Sequence, residues 1–513
     1  MFRWKRLTAV AVVAATAVAL TGCSTSSSTS TSTDSSSTGG TLTLGLLVPA
    51  TTFSAEGMNW ANESPYGQAA YDGLVRADTT GKVVPWLATS WSYDTAKTVL
   101  TMKLRTDVKF TDGTKFNASA AAQNILRFRD GDSANKSLLA EVATAKAVNA
   151  STLEIDLKAP DPALLTSLTQ NAGLQESPKA FTSSTIKTVP VGSGPYIMDT
   201  ANTVVGSSYA FTANPNYWDK KDVHYSKLVL KVFSTTTALL NAIRGGQVNA
   251  ANTADNSTIA QIKAAGFTIN AQQLNWTGMI LFDRGGVKDK PLANVKVRQA
   301  INYAFNTKAL LKTVGNGYGT TTTQIFPTNS PGYDKSLDSY YSYNPTKAKK
   351  LLAEAGYPNG FTITEPSSTL LGSTTYTLIA QQLKAVGITV NFTDPGNNLI
   401  ADLLAPKWGS AYFILQEDPT AWQILNFSLL PSAVFNPYKY SDPTVVALAK
   451  TIQTGTTAEA NAATKTLNEY IVKQAWFAPW YRQQSSYVTD AHTSVTVQPG
   501  TAYPYLWNFV PKS

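Results

Sequence analysis

The sequence predicts an α/β body carried behind a leader, and three observations predict it. Stretches of strand length alternate or run apolar, helical stripes are interleaved with them, and a basic start with an apolar run leads to the only cysteine of 513 residues. Strands interleaved with helices favour α/β over a β sandwich or a helix bundle, because each strand is followed by an element able to cover a sheet face.

In chain order the leader comes first. Arg3, Lys5 and Arg6 precede Leu7–Leu20, which is apolar apart from Thr8 and Thr16. A basic start, a short apolar middle and small residues make a secretory signal, and the run falls short of the about 20 apolar residues that an uncleaved span needs. The stretch "LTGC", Leu20 to Cys23, resembles a bacterial lipobox. That resemblance implies cleavage after a signal peptide of residues 1–22, with Cys23 as a lipid anchor at the outer face of the cytoplasmic membrane or in the periplasm. Each buried acyl methylene contributes about 0.8 kcal/mol of membrane affinity. Residues 23–40 are almost entirely Ser, Thr and Gly beyond the cysteine, a flexible linker with a reach on the order of 20–25 Å.

The body that follows, roughly 490 residues of mature chain, is long enough for two or three domains. No cysteine follows Cys23, so disulfides do not stabilise it; a core of this size can do without them. Three of the cations behind the formal charge of +9 lie in the leader, and the rest are scattered rather than gathered into a basic stripe. That excludes a nucleic-acid partner.

The strands and helices of the body are readable in order. "TLTLGLL" from Thr41, "STLEIDLKAP" from Ser151, "KLVLKVF" from Lys227 and "GITVNF" from Gly387 read as strands. "NVKVRQAINYAFNTKALLKTVGNG" reads as a helix with Val297, Ala300, Ile301 and Ala304 on one face. "NPTKAKKLLAEAGYPNG" is a second: Asn344 caps, Pro345 fits the first turn, Ala348, Leu351, Leu352 and Ala355 form a stripe, and Gly356 with Pro358 ends it. "FTDGTKF" puts Asp112 and Gly113 in a tight hairpin, and "GSGPY" puts Gly192 and Gly194 where the backbone bends.

Catalytic signatures are missing. His224 and His492 stand far apart without partners at metal spacing, so no metal and no cofactor is expected. There is no P-loop, G-x-S-x-G or H-E-x-x-H, and "GNGYG" at Gly315–Gly319 follows a helix. Two S-x-x-K matches, Ser133–Lys136 and Ser184–Lys187, lack the S-D-N and K-T-G partners of a serine acyl enzyme. A secreted serine hydrolase using either serine, or an exported chaperone, remains the alternative of another class.

Blocks in one order from about residue 41 onward resemble the family 5 extracellular solute-binding proteins of ABC importers: "YDGLVRADTTGKVVPWLATSW" from Tyr71, "LRTDVKFTDGTKFNA", "GSGPY", "NPNYW" at Asn214, "ALLNAIRGGQVNA" at Ala238, "VRQAINYAFNTKAL" at Val297 and "YNPTKAKKLLAEAGYPNG" at Tyr343. The resemblance implies a two-lobed periplasmic-binding-protein-like fold, type II, cluster C. Lobe one would be 41–275 with an inserted subdomain at about 74–187 and a return at 484–513, and lobe two 276–483. Such a protein is no enzyme: it closes like a hinge on a solute, as a monomer, and hands it unaltered to membrane permease subunits. A peptide is the leading solute; an oligosaccharide or a metal chelate is the alternative within the same fold.

In peptide receptors of that family an aspartate three positions before an acidic-Pro pair grips the ligand's ammonium, which is costly to bury without a counter-charge. In "WGSAYFILQEDPTAW" the count back from Asp418 and Pro419 reaches Leu415, which carries no charge. Glu417 or Asp418 is then expected to take over with a shifted loop, beside an aromatic wall of Tyr412 and Phe413. Phe53, Trp60, Trp276, Trp408 and Trp422 are further cleft candidates, and Arg284 in "LFDRGG" is expected either at a ligand carboxylate or in a surface or interlobe salt bridge.

Overall fold

Thr41–Leu46 and Lys227–Val232 pair in parallel, Leu42 against Leu228 and Leu44 against Leu230, with all four leucines buried. Burying each such side chain contributes about 1.5–3 kcal/mol, which fixes the register of this central pair. The coordinates are a computed structural model that describes residues 39–253 and 255–512; the leader, Cys23 and most of the Ser/Thr tract lie outside the described residues.

The central pair belongs to a sheet of nine strands. Its order is Ser410–Gln416, Thr268–Leu281, Phe477–Thr489, Ala250–Thr253, Thr41–Leu46, Lys227–Val232, Ser208–Ala213 and Tyr196–Met198, with Gly319–Thr321 paired on Phe477–Thr489. Two strands are much longer than the rest, Thr268–Leu281 and Phe477–Thr489, and they run antiparallel through most of their length. Their ladder slips between Gln273 and Asn275 and again between Thr277 and Gly278.

These two strands pass from one hydrophobic core to others. At one end Leu42, Leu44, Tyr66, Tyr209, Phe211 and Tyr487 share a core. At the other end the strand after the slip is covered on both faces, and side chains alternate between two cores as the period of a strand requires. Trp276, Ile280 and Phe282 enter one core with Leu425, Leu467 and Trp476; Met279 and Leu281 enter another with Val297, Ile301, Leu352 and Trp480.

A separate four-stranded sheet, in the order Ala88–Tyr93, Val99–Leu104, Thr152–Leu157, Val142–Asn149, packs Leu100, Met102, Leu153 and Ile155 with Ile125 and Phe128 of the helix Ala118–Asp130. Asn117 caps that helix, its Oδ1 accepting from Ala120 N at 2.9 Å.

The helix at Pro345–Glu354 forms as the sequence predicts, with Asn344 accepting from Lys347 N and Ala348 and Leu352 buried. The stretch from Asn294 does not form one helix. Val295–Ala304 ends at Phe305, and Thr307–Thr313 begins afresh because Asn306 turns its side chain to accept from Ala309 N at 3.0 Å. Gly113 takes φ +83° in the expected hairpin, where Phe110 N donates to Thr114 O at 2.8 Å.

Gly192 and Gly194 serve close approach as well as bending. A Cβ on Gly194 would stand 2.4 Å from the Ala70 carbonyl carbon, and Gly194 N donates to Ala70 O at 3.0 Å. Gly194→Ala is therefore expected to destabilise the fold by about 1–3 kcal/mol through overpacking, read as a lower midpoint in urea; an unchanged midpoint would contradict the contact.

Candidate functional site

Before the first slip, Thr268–Gln273 is only half covered, whereas the strand beyond is buried. Polar Gln272 and Gln273 stand there because the sheet opens onto a cavity of about 450 Å³. Gln484, opposite Gln273 in register, continues its floor. Thr320, Asn329, Glu417 and the segment Val497–Gly500 make its walls. A second cavity of about 250 Å³ shares Asn329, Pro419, Pro499 and Gly500 with the first. Its other walls are the turn Thr80–Lys82 and the segment around Thr166, Thr169 and Gln170.

Each compartment has one charged side chain among its lining residues, and the signs are opposite: Glu417 in the first, Lys82 in the second. The turn that carries Lys82 is held by Asp78, whose Oδ1 accepts from Thr80 N at 2.8 Å and Lys82 N at 3.0 Å. Gly81 at φ +87° permits the reversal.

Glu417 follows the strand Ser410–Gln416, and its N–H donates to Leu274 O at 2.8 Å. Its carboxylate lies 2.8 Å from Arg482 Nε. Arg482 is buried on Phe477–Thr489 and spends its other nitrogens on Asp338 Oδ1 at 2.8 Å and Phe326 O at 2.9 Å. Asp338 also accepts from Tyr333 OH at 2.6 Å, Thr322 Oγ1 at 2.8 Å and Gln324 Nε2 at 2.8 Å.

One guanidinium thus faces two carboxylates, and they respond differently. Burial pushes the Glu417 carboxyl up to about 7 against the pull of Arg482. Burial acts upward on Asp338 too, but hydrogen bonds from Tyr333 and Arg482 outweigh it and hold that carboxyl below its usual range. With both ionised the trio carries a surplus negative charge at the cavity wall, suited to a cation.

The remaining predicted site residues lie elsewhere. Asp418, half-buried, is not among the lining residues; it accepts from Gln416 Nε2 at 3.2 Å, and burial raises its carboxyl to about 7. Trp276, Trp408, Leu415 and Trp422 are buried in one core, where Trp276 meets Phe477 edge-on at 5.6 Å. Phe413 packs against the same core beside Phe435. Tyr412 faces the other way, stacked on Trp480 at 5.3 Å and 8°. Phe53 and Trp60 are buried in the core around Tyr66 and Tyr209.

Arg284 takes neither expected role. It is buried, donating to Leu281 O and Asn436 Oδ1 at 3.0 Å each, with its guanidinium 4.3 Å from the Trp476 ring centre, and burial lowers its pKa to about 9. Ser133 Oγ accepts from Asn135 N at 3.1 Å while Lys136 Nζ turns to Gly131 O at 3.4 Å, so the first S-x-x-K match is spent on local turns. Among the described residues no group of three or more His, Cys, Asp or Glu is disposed to hold a metal ion, and no helix is long and apolar enough to cross a membrane.

Sequence reasoning missed Lys82, Arg482, Asn329 and the glutamines of the floor. A signal for the floor existed: "AQQ" and "RQQSS" put paired amides inside strand-length stretches, which a strand buried on both faces would not carry.

Comparisons with known proteins agree with this architecture. The model of the bacterial extracellular solute-binding proteins, family 5 Middle, matches residues 82–442. The glutathione-binding protein GsiB of Escherichia coli (strain K12) is 31% identical over 373 residues, 66% of this chain and 68% of that one. HbpA2 from Haemophilus parasuis superposes with a TM-score of 0.80 at 20% identity, covering 92% of this chain and 100% of that one. The periplasmic binding protein DppA from Helicobacter pylori, in complex with the peptide STSA, does so at 0.74 and 20% identity, over 93% and 99%. The fold is that of the two-lobed periplasmic binding proteins.

Removing the shared guanidinium tests the charge trio. Arg482→Gln strands two carboxylates and is expected to cost about 3–5 kcal/mol near pH 8. Less should be lost near pH 6, because Glu417 then takes up a proton; equal losses at both pH values in urea titrations would contradict the arrangement.

Proposed function

Because the chain belongs to the bacterial extracellular solute-binding proteins of family 5, a family that binds small solutes and works with ABC permeases, we propose that its cleft takes a peptide by both ends. The observation that carries this reading is the pair of compartments that share Asn329, Pro419, Pro499 and Gly500, each with a single charged wall residue of opposite sign. Glu417, with the surplus negative charge it shares with Asp338, receives the ammonium. Lys82 faces the carboxylate end, and Gln272, Gln273 and Gln484 supply amides for the backbone between.

A glutathione-binding relative and a neighbour holding the peptide STSA support the same class. The aromatics expected to stack on peptide side chains or on sugar faces lie in the cores, so the peptide reading is favoured over an oligosaccharide by the charged wall residues alone.

The lobes of this reading are 41–275 with 484–513, and 276–483. Their borders adjoin the slip between Gln273 and Asn275, where an interrupted ladder concentrates bending. The small four-stranded sheet is the body of the inserted subdomain. The protein acts as a monomer, held at the membrane by lipid on Cys23, and releases its solute chemically unchanged.

Isothermal titration with free and N-acetylated tripeptides, glutathione among them, tests the assignment. Glu417 ionises above about 7 and is neutral below, so the site loses its counter-charge as the pH falls. Affinity for a free tripeptide is expected to drop about tenfold from pH 7.5 to pH 5.5, although the α-amino group, mostly protonated at pH 7.5, becomes fully so at pH 5.5. Glu417→Gln should abolish that dependence, and N-acetylation should weaken binding at pH 7.5. Equal affinity for acetylated and free peptides would refute the ammonium site.

A further inference from the structure

A second meeting of the two lobes, taken as in the reading above, lies outside the cleft. The hairpin between Ala88–Tyr93 and Val99–Leu104 is tightened by Asp94, whose Oδ1 accepts from Thr98 N at 2.8 Å and Val99 N at 2.9 Å. At its tip Lys97 adopts φ +57°, a left-handed conformation unusual for a residue with a side chain. Its ammonium donates to the carbonyl of Gly455, 358 positions along the chain. Gly455 closes the helix Pro443–Thr454, so the acceptor sits at the negative end of a helix dipole.

Two residues earlier, Gln453 Nε2 donates back to Pro160 O at 3.1 Å. Ala163, three residues on, packs into the core of Leu425, Leu467 and Trp476. Lys97, Pro160 and Ala163 belong to the small sheet and the loop after it; Gln453 and Gly455 belong to the opposite lobe. None of the five lines either cavity.

We infer that this hairpin is a latch: the inserted subdomain grips the C-terminal end of the helix Pro443–Thr454 and biases the lobes toward closure independently of the solute. The two long strands join the lobes covalently in every state, so they cannot by themselves prefer the closed one. The latch can, because opening the cleft returns Lys97 and Gln453 to water. Each contact then changes the closed-to-open ratio by roughly 3- to 10-fold, the net value of one such hydrogen bond. A device of this kind gives the small subdomain a role that the cleft does not need it for.

The test requires no solute, so its result is separate from that of the peptide assignment. Spin labels on Ala201→Cys and Ala309→Cys, both at exposed positions, in a Cys23→Ser background report the interlobe distance by pulsed dipolar EPR. The parent is expected to show a short-distance population. Lys97→Ala and Gln453→Ala should each lower its ratio to the long-distance population by roughly 3- to 10-fold, and Lys97→Arg should preserve it. A parent without the short population, or distance distributions unchanged in both alanine variants, would overturn the latch. Lys97→Gln, which keeps the stem of the side chain, provides a second loss-of-charge variant if alanine disturbs the hairpin.

Discussion

The constraint on which the structure depends is a continuous antiparallel ladder shared by both halves. Phe477–Thr489 pairs with Ala250–Thr253 at one end and with Gly319–Thr321 further along, and Thr268–Leu281, paired to it along most of its length, meets Ser410–Gln416 at its far end. Their backbone groups satisfy one another almost throughout, so neither half can be separated without unpairing them. The slip between Gln273 and Asn275 is the tolerated exception. It falls where apolar cover ends on one side and has not begun on the other, and polar side chains are therefore affordable there. The cavity exists because the ladder crosses this gap between cores.

Charge at the gap follows from the same geometry. Arg482 stands opposite Trp276 in the ladder and is buried beside it, so its guanidinium must be satisfied locally. Asp338 and the Phe326 carbonyl do most of this, supported by Tyr333, Thr322 and Gln324. Glu417 is then a second carboxylate on a cation already committed, which is why its proton is held up to about 7. A buried acid with an incompletely compensated charge is less stable in isolation than a fully paired one. It is also the group that gains most from an incoming cation.

Much of the fold was legible in the residues. The parallel strand from Thr41 and its partner from Lys227 alternate in sequence as they do in burial, and Asn344 with Pro345 starts a helix where capping chemistry says it should. Asn306 was misread because a helix interior and an N-cap use the same residue; only the packing of Phe305 at the break decides between them. The site was less legible for a physical reason. Trp276, Tyr412 and Leu415 sit on strands covered on both faces, and periodicity tells which side chains share a face but not whether that face meets solvent, solute or a helix. Arg482 is held by Asp338 and Phe326, 144 and 156 positions away, and Lys82 shares its cavity with Asn329, Pro419 and Pro499, which no local pattern records.

Leu415 shows why a charge is not accommodated inside this ladder. In the ladder Leu415 pairs with Trp276, which pairs on its other side with Arg482, and Leu415 and Trp276 share a core with Leu425. A carboxylate at position 415 would have to be desolvated among these side chains and share a guanidinium already held by Asp338. Moving the charge two residues along a strand carries it about 6.6–6.8 Å while keeping it on the same face. Glu417 occupies that place: near enough to pair with Arg482, beyond the end of the strand, and on the wall of the cavity. The apolar residue at 415 and the acid at 417 thus fit their surroundings, one inside the core and the other at the cavity wall. Burial holds the Glu417 carboxyl up to about 7, whereas a charge at 415 would be enclosed by core side chains.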